Sequence, residues 1–435
     1  METTRIERGT KKTHYAVFIF IGCCLCGASG FALTVSLTGV YLVPASQGMG
    51  ISTTEFSLWS SALGIVQVFS FPLWGQLMRK NFRLCFSIGV IVEIIAILLF
   101  SVVNSTIGVI ICGVLLGIAV PQTFFLTIPT LMSNWFAPKV RGRFLGIAMA
   151  FSGVGTFIWA PLFSSIIETS GYQASYVANA ALAALFLVPC IFIFRFTPQD
   201  KGLKPYGSGE GIEETVRPAA QGMSAGKALR SAPFFLMFFA IAFTAIGMGF
   251  NNSQRPMAAE MLAGTDLAGQ AAMIGAWMIS TAAAGNLVGK VAFGFLSDKM
   301  GIKPTMLAFL VLFMLAFIGW MLLPGNPVPM FVCAFLLGTH NGIASVGLPM
   351  ATNMLFGERD YEKIYARLSI ASAIIGGFST TIVTVVATGI GSYVSPLYFV
   401  LGMALVVLVA AFVIPAMRFI GKLRWDTDIS GAAEG

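Results

Sequence analysis

Charge is scarce in this chain. Only 26 Lys and Arg and 18 Asp and Glu occur among 435 residues, while 57% of the residues are hydrophobic and the mean hydropathy is +0.86. A soluble fold of this length must wet its surface, and this composition cannot do so. Histidine is scarcer still, with two residues, His14 and His340. There is no cluster with metal-ligand spacing, no phosphate-cradling G-x-x-x-x-G-K-[ST] and no nucleophile with a histidine at a suggestive spacing. No enzyme, metal or cofactor is therefore expected, and the GxG at 153–155 lies in an apolar run that says nothing of nucleotides. The seven cysteines (23, 24, 26, 85, 112, 190 and 333) all fall in or at the ends of apolar runs, so no disulfide framework is expected.

What the chain has in abundance is long apolar runs. A run of about 20 residues spans a bilayer core of ~30 Å, and we count twelve between Tyr15 and Met417. The first is too long for a signal-peptide core and is read as retained. The fold class expected is an all-α membrane protein with twelve transmembrane helices in two six-helix halves. The formal charge of +8 is not a nucleic-acid footprint. Its basic residues precede the first span (Arg5, Arg8, Lys11, Lys12) or follow even-numbered spans, among them Arg79, Lys80, Arg141, Arg143, Lys299, Lys303, Arg359, Lys363 and Arg418. All of these lie on one side, which the positive-inside rule identifies as cytoplasmic. Arg255 and Lys290 alone escape the pattern.

The polar, Gly- and Pro-rich segment 197–232 divides the chain. The boundaries expected are a tail at 1–14, six spans over 15–196, a linker over 197–232, six spans over 233–418 and a tail at 419–435, with both tails and the linker cytoplasmic. The halves echo each other: "GQLMRK" from Gly75 recurs as "GFLSDK" from Gly294, and "LLGIAVPQTFFLTIPTLMSNWF" from Leu115 as "LLGTHNGIASVGLPMATNMLF" from Leu336. Such a repeat is the usual construction of secondary transporters, whose sites lie near the midplane between the repeats.

The chain resembles the major facilitator superfamily along nearly its whole length. "GFLSDKMGIK" matches that superfamily's loop pattern G-x-x-x-D-x-x-G-x-K, whereas "GQLMRKNFR" carries Arg79 in place of the acid. "RGRFLGIAMAFSGVGTFIWAPL", "GNLVGKVAFGFLSD", "FGERDYEKIYA" and "TPQDKGLKPYG" resemble, more narrowly, the oxalate:formate antiporters and the related monocarboxylate transporters. The resemblance implies the major facilitator fold, alternating access and a small organic anion as substrate, with a counter-substrate or a proton as coupling partner. It implies no nucleic acid. We expect a monomer in the lipid bilayer, in a bacterial inner membrane.

Lys290 is the residue that needs explaining. A charge at the centre of a membrane helix costs about 2.5–3.5 kcal/mol on insertion scales. Lys290 lies eight residues before Asp298, so ~12 Å of helix separates it from the loop. Ala283, Asn286, Gly294 and Ser297 form a small and polar strip beside it, suited to a cavity or a close helix contact. The alternative is a lysine that snorkels to the headgroups. In the families resembled this position usually carries an arginine that holds the substrate carboxylate; lysine offers a point charge without the bidentate fork. Asn286 stands where the proton-coupled relatives have an aspartate, so it is read as a substrate contact or an ordinary interhelical hydrogen-bonding group.

Other polar residues at membrane depth complete the candidates. His340 and Asn341 lie midway along span ten, one of the spans (one, four, seven and ten) that line the cavity in the superfamily resembled. His340 is expected to bind substrate or carry a proton, or else to be a satisfied packing histidine. Gln122 stands near the repeat-related position on span four. Glu93, the only carboxylate deep in a span, is a proton site or, as we prefer, a neutral structural acid, since span three is peripheral. Arg255 attracts anions to the outer mouth, gates it, or anchors the interface. Gly294, Asp298 and Arg367 are assigned to gating and loop order; with Leu368 beside Arg367, a second midplane cation is not assured, which weighs against a dicarboxylate. Gly153 and Gly155, with Pro161, are read as close-packing and bending residues. An efflux transporter for apolar, drug-like compounds and a non-transporting sensor or scaffold are the alternatives. The first lacks the span-five drug-antiporter pattern of Gly followed closely by Pro-x-x-Gly-Gly, the second an appended soluble domain.

Overall fold

The computed structural model describes residues 14–208 and 222–423. The basic tail residues Arg5, Arg8, Lys11 and Lys12, Arg217 of the linker, and Arg424 lie outside them. Among the described residues ten helices are long and apolar enough to cross a membrane. Two of these are far longer than a span. Thr53–Leu99 is broken at Asn81 (φ −150°, ψ 85°), and the 138–193 helix at Gly171 (φ 82°, ψ 167°), so each is two helices joined end to end. Counting the broken helices as pairs gives the twelve expected. We number them α1 (16–49), α2 (53–80), α3 (82–99), α4 (Thr106–Trp135), α5 (138–170), α6 (172–193), α7 (232–261), α8 (Ala271–Met300), α9 (Ile302–Leu322), α10 (Pro327–Phe356), α11 (Tyr361–Ile390) and α12 (Pro396–Met417).

The ends of these helices follow from local chemistry. α2 opens on a capping box: the Ser52 hydroxyl accepts from the Glu55 N–H (3.1 Å) and the Glu55 carboxylate accepts from the Ser52 N–H (2.8 Å). α5, α10 and α12 begin at Pro138, Pro327 and Pro396, where a missing N–H costs nothing. α11 ends at Gly391 in the left-handed region (φ 83°).

Four helices depart from α geometry, and they are α1, α4, α7 and α10. π-helical turns occupy Cys26–Ser36 in α1, Pro121–Phe125 in α4 and Ile343–Gly347 in α10, while α7 breaks at Ser253 (φ −91°, ψ 2°). The α4 and α10 turns stand 222 residues apart, close to the offset of the sequence repeat, so the backbone irregularity is itself repeated. π turns leave carbonyls without their usual N–H, and inside a membrane these need other donors. The indole of Trp159 donates to Ala28 O (2.6 Å) and the Asn179 amide to Leu33 O (2.9 Å) in α1. Near the α4 turn, the Trp74 indole donates to Ile118 O (2.7 Å) and Ser70 to Gly117 O (2.7 Å).

The buried apolar side chains form two clusters, one from residues 16–194 and one from 223–417, with Ile279 of α8 seated in the first. The side that carries the basic residues is called the basic side below, and the other the far side.

Candidate functional site

The two halves meet along α1–α7, α2–α11 and α5–α8, and the hydrogen bonds between them among the described residues lie toward the far side. Ser57 donates to Thr381 Oγ1 (2.9 Å), Ser61 pairs with the same hydroxyl (2.9 Å) and Ser60 donates to Gly377 O (2.9 Å), all between α2 and α11. Between α5 and α8, Ser280 donates to Phe157 O (3.0 Å) and Ser164 to Ala272 O (3.5 Å). The Arg255 guanidinium of α7 donates to the Val40 carbonyl of α1. Glycine permits the closest approaches: a Cβ on Gly377 would stand 2.6 Å from Gly64 Cα, and one on Gly39 2.7 Å from Asn252 O. Gly153 makes a contact of the same kind, with Ala283 O 3.3 Å from its Cβ position, and Gly155 packs on Ala28 of α1 (2.3 Å to its O). Both glycines therefore have the packing role expected of them.

Lys290 stands just past the last of these contacts. On α8, Ser280, Ala283 and Leu287 face the first half. At 100° per residue Lys290 shares that face, about 20° from Ala283 and about 60° from Leu287. Val288, Val291 and Phe295 are exposed on the lipid-facing side (48%, 68% and 66%), and Phe293 is fully buried in the second half. Lys290 thus points along the seam between the halves rather than to lipid. It is half-buried and, among the described residues, has no hydrogen bond and no ion pair. About 15 Å of helix separates it from the end of α8 at Met300. The Oδ1 of Asn286, one turn away on the same face, is buried without a partner. The neighbouring turn of α8 is held by α10: a Cβ on Gly289 would meet Thr339 Cα at 2.8 Å, and one on Gly342 would meet Gly289 O at 2.6 Å.

The other expected residues are distributed differently. Asn341 is half-buried on α10, its amide donating to Gly338 O (3.2 Å). His340 is buried (1% exposed), its Nδ1 bonded to Leu337 O (2.7 Å) and its ring stacked on Phe313 (4.9 Å, 22°). A Cβ on Gly247 would come 2.7 Å from His340 Nε2, so the ring fills the space between α7, α9 and α10, the geometry of the packing alternative. Gln122 is fully buried in the α4 π turn with both amide atoms unpartnered, its Cγ 3.0 Å from the Cβ position of Gly89 on α3. Glu93 is fully buried, and its unpartnered carboxyl faces Gly30 in the α1 π turn (3.6 Å to the Cβ position). Arg255 does not join Lys290. Its backbone packs on Gly275 of α8 (2.7 Å), fifteen residues and so ~22 Å of helix from Lys290. Gly294 is open, Asp298 is exposed, and Arg367 is exposed with its guanidinium turned back to Lys363 O (3.2 Å); the buried residue at that level of α11 is Leu368.

Residues 19–253 match the model of the Major Facilitator Superfamily. The chain belongs to the major facilitator superfamily. Among curated relatives of this major facilitator protein, the oxalate:formate antiporter of Oxalobacter formigenes is 22% identical over 406 residues, 90% of each chain. Monocarboxylate transporter 13 of Bos taurus is 29% identical over 245 residues, 56% of this chain; the match spans about half, 52%, of that relative. A bacterial homolog of the human lysosomal transporter Spinster, solved inward-facing and unoccupied, superposes with a TM-score of 0.68 at 16% identity over 96% of this chain and 100% of that one. The nucleoside transporter NupG gives 0.66 at 13% identity over 93% and 98%. These last two likenesses concern the fold. The fold, the family and the likeness to carboxylate transporters accord with the sequence reading.

The α2–α11 hydroxyl ladder (Ser57, Ser60, Ser61, Thr381) and the Arg255–Val40 bond were not anticipated from sequence. A signal for the ladder existed, since small residues recur at 57, 60, 61 and 64 and again at 376, 377, 380 and 381. The π turns had none beyond their place in the repeat.

Proposed function

We propose that this major facilitator protein is a secondary active transporter of small organic anions that works by alternating access. The observation that carries the proposal is Lys290: an ammonium without an internal partner among the described residues, beside the unpartnered Asn286 Oδ1, on the seam where the halves part. A cation at membrane depth left unpaired is costly, and a substrate carboxylate is the partner that removes the cost. The named relatives, an oxalate:formate antiporter and a monocarboxylate transporter, support the anionic class. Asn286 and Asn341 orient the substrate. The basic side is cytoplasmic by the positive-inside rule, and the protein acts as a monomer in a bacterial inner membrane.

A monocarboxylate fits better than a dicarboxylate. A dianion needs two cations near the midplane, and Arg367 points away, Arg255 is separated from Lys290 by ~22 Å of helix, and the His340 ring is packed. Without a carboxylate at position 286, exchange outpaces proton-driven net uptake. The test is reconstitution in liposomes, with uptake of labelled formate, acetate and oxalate measured with and without internal substrate. Lys290→Gln is expected to abolish uptake without loss of folded protein, and Lys290→Arg to keep part of it. Equal transport by wild type and Lys290→Gln rejects the assignment.

A further inference from the structure

Arg255 is 6% exposed and lies at the contact between the two halves on the far side. Its guanidinium has five N–H donors, yet the partner the structure gives it is one backbone carbonyl, Val40 O of the opposite half. Among the described residues no carboxylate lies within ion-pair distance of it. Glu168, exposed near the far end of α5, is close enough to act on it electrostatically without forming a pair. The backbone of Arg255 is wedged against Gly275 on one side, and next to Val40 the backbones of Gly39 and Asn252 touch. The guanidinium is therefore buried at the closed contact between the halves.

Alternating access separates these halves. Arg255 moves with α7 and Val40 with α1, so opening the far side necessarily breaks their bond and exposes an unpaired guanidinium at the mouth. A planar fork of donors matches a carboxylate better than it matches a single carbonyl. We propose that Arg255 is a state-dependent anion station at the far-side mouth, where the incoming carboxylate replaces the Val40 carbonyl and thereby favours the open arrangement. Because ~22 Å of α8 lies between Arg255 and Lys290, one small anion meets the two cations in sequence and not together. A ligand shifts a conformational equilibrium only through differential affinity for the two states, and Arg255 supplies it: free to bind an anion when open, spent on Val40 when closed. This inference rests on the proposed anion transport, but its readout is separate.

The readout is maleimide labelling from the far side of a Thr384→Cys reporter. Thr384 is fully buried, its hydroxyl is unpartnered, and it lies about 20° around α11 from Gly377. In proteoliposomes, formate or acetate added on the far side is expected to raise the labelling rate of the otherwise wild-type protein several-fold, with formamide as the uncharged control. Arg255→Gln is expected to label fast without anion, since the lock is gone, and to ignore added formate. Arg255→Lys is expected to keep a weakened response. Lys290→Gln is expected to keep the response while losing transport, which separates failure of this inference from failure of the midplane assignment. Labelling of the Arg255-intact protein that does not change with formate or acetate overturns the proposal, even if both arginine variants fail to fold. So does an Arg255→Gln protein with the unaltered rate and response.

Discussion

Gly377→Ala is a sharp perturbation of the proposed alternating mechanism. The added Cβ would stand 2.6 Å from Gly64 Cα, 2.9 Å from Ser60 O and 3.0 Å from Gly64 N. All three are backbone atoms of one helix, so no side chain can rotate away and α2 and α11 must part by about 1 Å to restore ordinary contact. Parting them lengthens the Ser60–Gly377 O bond and the two bonds to Thr381, which are 2.9 Å in the closed arrangement. Overpacking of this kind costs about 1–3 kcal/mol, and here the cost falls on the far-side-closed state alone, because opening removes the contact. The closed-to-open ratio should therefore drop by roughly 5- to 150-fold. The Thr384→Cys labelling rate from the far side should rise accordingly, while the native cysteines, all buried, serve as background. Unchanged labelling together with unchanged thermal stability would refute the view that the Gly64–Gly377 crossing holds the far side shut.

Other outcomes follow from the same geometry. Gly338→Ala places a Cβ 2.0 Å from Ala282 O, so it should force α10 off α8, lower thermal stability and reduce transport; a variant as stable as wild type refutes that contact. Glu93→Gln should leave folding and exchange nearly intact if Glu93 is a neutral structural acid, because the amide is its isostere; loss of all transport in well-folded protein would make Glu93 a proton carrier. Asp360, in the loop between α10 and α11, accepts from the Ala225 N–H (2.9 Å) and from Lys363 (2.9 Å), which hold its carboxyl below the usual range. A depressed folded-state pKa means that its support is complete above the ordinary aspartate value, about 3.9, and is lost only as pH falls through the lower folded value. Asp360→Asn should accordingly speed hydrogen exchange at the Ala225 amide at neutral pH, and unchanged protection there would show that the bond does not hold the segment.

The sequence by itself determined the membrane class, the number of spans, the repeat and the anomaly of a lysine at position 290. Each rests on a property local to the chain: run length against bilayer thickness, placement of basic residues, and the cost of a charge in an apolar segment. Helix periodicity also sufficed to put Asn286 and Gly294 beside Lys290. What it left open was which neighbour each buried polar group faces. His340 and Lys290 look equally anomalous in sequence, yet one is stacked on Phe313 over Gly247 and the other faces the seam without a partner. Arg255 and Lys290 stand out equally from the charge pattern, yet the far-side contact holds one on Val40. Only the tertiary structure decided these, because a side chain's environment is set by helices hundreds of residues away, and one sequence carries the rotation of a helix about its axis without the identity of the helix it meets.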